Sequence, residues 1–135
     1  MKTIVVPPTG LLPHRPYSPG VLAGGHLYVS GHTGSDPVTR VIAEGVAAQA
    51  HQAFRNIRAV VEAAGGTMAD VTKVNVFMTD MAGDFEAMNA VFREVFPEDP
   101  PARTTVGVSH LARPGLHLEI EAIAVLDNNA AGAAR

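Results

Sequence analysis

The chain has no cysteine and no tryptophan, and only 17% of its residues are charged. Without cysteine there is no disulfide framework, no thiol nucleophile and no thiolate metal site, a composition that fits a reducing compartment. Charge is scarce beside the roughly 25% of a typical globular chain. With 47% apolar residues, so few charges cover a small domain poorly, and part of the outer surface is expected to be buried against identical copies. Positive charge is shorter still. Thirteen acidic residues against ten basic ones leave a net charge of −3, with no broad electropositive field to hold nucleic acid or an anionic membrane. No apolar run approaches the roughly 20 residues that span a bilayer, and the opening apolar run stops at Pro7-Pro8, too early for a secretory signal. The expectation is a cytoplasmic protein without membrane or nucleic-acid partners.

What is present fits one domain. A chain of 135 residues buries roughly 65–70% of its unfolded surface, and the pattern assigns residues 1–127 to one unit and the small, polar residues 128–135 to a frayed tail. Proline and glycine punctuate the first 40 residues into short extended pieces. One clear strand stands among them at 26–32, where alternation brings Tyr28, Ser30 and His32 to a common face. The period then changes. Val46, Ala50, Phe54, Ile57 and Val61 recur every three or four residues, with Gln49, Gln52, Arg55, Arg58 and Glu62 between them, an amphipathic helix closed by Gly65-Gly66. A β-branched strand at 71–78 follows. A second helix is capped by Asp84, striped by Phe85, Met88, Phe92 and Val95/Phe96, and ended by Pro97 and Pro100-Pro101. Two more strands, 104–110 and 116–126, meet at a turn through Arg113-Pro114-Gly115.

This order makes an α+β chain: a mixed β-sheet with two helices on one face. Alternation along the last two strands assigns Thr104, Val106 and Val108, then Leu118, Ile120, Ala122 and Ala124, to the helix side. It leaves Arg103, Thr105, Gly107 and Ser109, with His117, Glu119 and Glu121, on the open face. Arg103 enters its strand behind two prolines and offers a planar fork. It either bridges to Glu119 or Glu121 or grips an external carboxylate through two parallel hydrogen bonds. Glu119, set in the apolar run 118–125, either pairs with a cation or accepts protons, because burying it alone is costly. The six histidines show no metal-ligand spacing.

Pro16-Tyr17-Ser18, Val29-Ser30-Gly31, Pro101-Ala102-Arg103 and the closing run from Leu118 to Ala124 resemble the reactive-intermediate deaminase family, RidA or YjgF, in order and spacing across nearly the whole chain. The resemblance implies a chorismate-mutase-like, βαβ-type fold. It also implies a homotrimer whose sheets build a central barrel, with active sites in clefts between subunits. Arg103 then matches the arginine that binds the substrate carboxylate, and Glu119 the glutamate that orients or activates water. Tyr17, Ser30 and Asn89 match positions lining the cleft, and Gly31 a glycine whose backbone lies against the ligand. The implied activity is hydrolysis of a small carboxylated enamine or imine, such as 2-aminoacrylate, to a keto acid and ammonia, with no metal or organic cofactor.

Two departures stand out. Thr105 occupies a position where many members carry cysteine, which excludes thiol chemistry, and His32 replaces a common glutamine, which alters the polar lining of the cleft. The same residues also have plainer uses: Tyr17 as a cap on the sheet edge, Asn89 as a partner for a neighbouring loop, Ser30 as a partner for backbone. Rival functions are a deaminase dedicated to one pathway, for aminoacrylate derivatives or aminomuconate, and a non-catalytic regulator that binds small carboxylates. RNA cleavage ranks last, for want of a basic stripe or an aromatic platform.

Overall fold

The structure, a computed structural model, describes residues 1–9 and 15–126. The tail expected at 128–135 lies outside the described residues. The helical period beginning at Val46 produces α1 (Val46–Ala63), and the second period produces α2 (Met81–Val95). Both lie on one face of a six-stranded sheet made of β1 (Thr3–Val5), β2 (Gly20–Ala23), β3 (His26–Thr33), β4 (Val71–Met78), β5 (Ala102–Gly107) and β6 (Leu118–Val125), in the order β1-β2-β3-β6-β4-β5. The first two strands are short pieces of the proline- and glycine-rich N-terminal region; β1 pairs antiparallel with β2, and β2 with β3. Every neighbouring pair is antiparallel except β4 and β5, which run parallel. A parallel pair needs a crossover, and α2 supplies it.

The core lies between sheet and helices. Ala50, Phe54, Ile57, Val60 and Val61 of α1 and Met88 and Phe92 of α2 are buried against Leu27, Val74, Val76, Leu118 and Ile120. Phe54, Phe92 and Phe96 pack with ring centroids 5.0–5.8 Å apart and join the two helices. Gly65, at φ 91°, turns the chain out of α1, as the double glycine predicts.

Two local readings are corrected. The cap of α2 is Asp80, not Asp84: Asp80 Oδ1 accepts from the Gly83 N–H at 3.1 Å, and the helix starts one turn earlier. Asp84 lies within the first turn, where its carboxylate meets His117 Nδ1 at 2.7 Å. Gln49, read as part of the polar face, is 1% exposed. Its amide donates to the Ala43 and Gly115 carbonyls at 3.1 and 2.9 Å, and its Oε1 accepts from the His117 N–H at 2.7 Å. One side chain therefore ties the loops before α1 and before β6 together. Gln49→Leu strands these three backbone groups, and urea unfolding is expected to show a loss of about 2–4 kcal/mol.

Candidate active site

The ladder between β3 and β6 is irregular at Ser30-Gly31. Val29 pairs with Ala122, but His32 pairs with Ile120, so β3 carries one extra residue. The bulge reverses the alternation beyond it. Tyr28 faces away from the helices, whereas His32, opposite buried Ile120, turns to the helix side; the common face expected for Tyr28 and His32 does not exist. Gly31 lies against Glu119 so closely that a Cβ there would overlap the carboxylate. Burial, and then the neighbouring charge of Glu121, raise the Glu119 carboxyl above the usual range. Glu121 itself accepts from Asn75 Nδ2 at 3.0 Å.

Ser30 pins the segment before β2. Its N–H donates to the Pro19 carbonyl at 2.9 Å and its hydroxyl to the Ser18 carbonyl. Tyr17 is thereby brought to the cavity that Ser30, Gly31, His32 and Glu119 line; its hydroxyl accepts from Arg15. Burial, with the charge of Arg15, lowers the His32 imidazole to about 4, so it is neutral at physiological pH. Its Nε2 is buried without a hydrogen-bond partner among the described residues.

Arg103, Asn89 and Thr105 form a second cluster. Arg103 pairs with Val74 and Thr105 with Val76, both core residues, so these side chains face the helices and not the open face expected for them. Gly107 shares their side, opposite Met78, while His117 turns to Asp84 at the start of α2. The reason is the position of β5 at the sheet edge. There the stem of Arg103 is covered by α2, its guanidinium lying 4.7 Å from the centre of the Phe92 ring and 5.7 Å from that of Phe85, while Val106 is left on the open face. Nη1 donates to Asn89 Oδ1 at 2.6 Å. That contact gives Asn89 a side-chain partner in place of a loop. Among the described residues no carboxylate lies within 4.0 Å of the guanidinium, so the bridge to Glu119 or Glu121 is not made. Thr105 Oγ1, next on the same side, is also buried and has no hydrogen-bond partner among the described residues.

The expected residues thus fall into two groups. Tyr17, Ser30, Gly31, His32 and Glu119 share one cavity; Asn89, Arg103 and Thr105 lie across β4, on the far edge and on the helix side. Sequence reasoning missed the basic lining of the cavity, because Arg15, Arg40, Arg55 and Arg113 come from four separate segments that no local spacing connects. Among the described residues no group of three or more His, Asp or Glu side chains is placed to hold a metal, and no helix is long and apolar enough to cross a membrane.

Fold and clusters define a class: a two-layer α+β protein with a cationic fork on its edge strand and a half-buried glutamate beside a glycine bulge. Residues 9–126 match the family described as Endoribonuclease L-PSP. The chain is 42% identical to a 2-iminobutanoate/2-iminopropanoate deaminase of Dermatophagoides farinae, over 93% of this chain and 98% of that protein. It is also 42% identical to a RutC family protein of Pyrococcus horikoshii, over 92% and 98%. Among solved structures, RidA of a Psychrobacter species superposes with a TM-score of 0.84 at 40% identity, covering 92% and 99% of the two chains. The YjgF gene product of E. coli does so with 0.83 at 36%, covering 91% and 98%. This chain belongs to that family, the RidA/YjgF family.

Proposed function

We propose that this protein is an enamine/imine deaminase that hydrolyses 2-aminoacrylate-type intermediates to 2-keto acids and ammonia. The observation that carries the reading is the half-buried Arg103 fork, steadied by Asn89 and two aromatic rings yet facing no carboxylate of the described chain. A substrate carboxylate completes it. The name of the Dermatophagoides relative supports the same reaction.

Little further machinery is required. The enamine tautomerises to an imine, R–C(=NH)–COO⁻, whose C2 is already electrophilic. Glu119 takes a proton from water as its oxygen adds to C2 and returns it to nitrogen, giving R–C(OH)(NH2)–COO⁻. It then relays the hydroxyl proton to the amine, so that the C–N bond breaks, ammonia leaves and the C2 carbonyl of the keto acid forms. A carboxyl raised by burial lies closer to the working pH and serves both transfers. Tyr17, Ser30, the Gly31 backbone and His32 line the water side of the cleft; Asn89 and Thr105 line the anchor side.

Arg103 and Glu119 belong to different faces of one chain, so we also propose that the working site forms between copies in a homotrimer. Support comes from the open sheet face, which carries Tyr28, Phe77, Val106, Ile123 and Val125, all at least partly exposed. The first test generates 2-aminoacrylate in situ with a serine or cysteine lyase. Faster release of pyruvate and ammonia is expected, and an unchanged rate contradicts the proposal.

A further inference from the structure

The cavity beside Glu119 has a volume of about 840 Å³, far more than a four-carbon imino acid occupies. Its lining is also unusually basic for a chain of net charge −3. Arg15, Arg40, Arg55 and Arg113 line it, against two acids, Glu119 and Asp36. Asp36 is already engaged, because its Oδ1 accepts from the Val38 and Thr39 N–H groups, each at 2.8 Å. Among the described residues none of the four guanidiniums has a carboxylate within 4.0 Å.

Two of these cations are held by the fold. Arg55 donates to Gln52 Oε1 at 2.8 Å, Gln52 donates to Asn56 Oδ1 at 2.8 Å, and Asn56 donates to the Thr33 and Ser35 carbonyls at the end of β3. Arg113 donates to the Arg40 carbonyl at 3.0 Å. His32, whose Nε2 has no hydrogen-bond partner among the described residues, belongs to the same lining. The four guanidiniums are donors around a concave space, two of them held in place, and none has a carboxylate of the described residues within 4.0 Å, the arrangement that recognises an anionic group.

We infer that this cavity receives the side chain of the substrate and that the preferred substrate is an imino acid ending in a second carboxylate, held by the arginine lining while Arg103 holds the first. The inference rests on the deaminase reading and adds a substrate class to it. The reaction stays balanced: a dicarboxylic imine and water give the corresponding dicarboxylic keto acid and ammonia.

Calorimetric titration of the intact protein with 2-oxoglutarate and 2-oxobutanoate tests the subsite directly. The dicarboxylate is expected to bind at least about tenfold more tightly. Arg55→Gln, and separately Arg40→Gln, both exposed positions, are expected to weaken 2-oxoglutarate binding more than 2-oxobutanoate binding and so shrink that gap. Equal affinities in the parent, or a gap that survives both substitutions, overturn the inference. Turnover of the imines made by flavin oxidases from D-glutamate and D-2-aminobutanoate separates the two claims. Hydrolysis of both without the binding preference removes the subsite and keeps the deaminase; the binding preference without hydrolysis of either keeps the subsite and removes the deaminase.

Discussion

Arg103→Ala is expected to lower kcat/KM for 2-iminobutanoate by on the order of a thousandfold, mainly through KM. Two charge-assisted hydrogen bonds to a carboxylate are lost, each worth about 1.5–3 kcal/mol. Arg103→Lys keeps the charge and loses the fork, so it recovers only part of the effect. The substitution also uncovers Phe92, and thermal unfolding measures that separate cost. A variant that folds normally and binds substrate normally contradicts the anchoring role.

Glu119→Gln is expected to lower kcat by about 10²–10⁴-fold, the usual range for a lost general acid–base, with KM little changed because the anchor is intact. A matching pH signature is expected of the parent protein. On the proposed mechanism Glu119 acts as its carboxylate, and its pKa is raised above the usual range, so activity is expected to fall as pH drops through that raised value. Glu121→Gln removes the like charge and is expected to move the acidic limb to lower pH, though not below 4.5, because burial is the larger cause. A limb unmoved by Glu121→Gln and still present in Glu119→Gln assigns the ionisation to another group.

The helices were legible because their apolar period is set by the face they bury, and β6 was legible for the same reason. β5 was not. Alternation says which residues share a face but not which face is covered, and at the sheet edge α2 covers the side bearing Arg103 while Val106 stays outside. Nor can alternation foresee the bulge at Ser30-Gly31, which sends His32 to the opposite side from Tyr28. Asp80 and Asp84 are equally good caps by composition; the Gly83 N–H decides between them. Gln49 reads as polar surface until the loops it joins are placed around it. Individual residues of the candidate site were visible in the sequence, but their separation into two clusters depends on strand order and register.

That separation makes the central claim testable with two defective proteins. Arg103→Ala and Glu119→Gln chains, each inactive alone, are mixed in equal amounts, unfolded and refolded together, and assayed with 2-aminoacrylate. If each site takes Arg103 from one copy and Glu119 from another, random assembly restores roughly a quarter of the sites, and activity recovers to about that fraction of the parent. Recovery no greater than either variant alone, from mixed assemblies of the parental size, contradicts a site shared between copies.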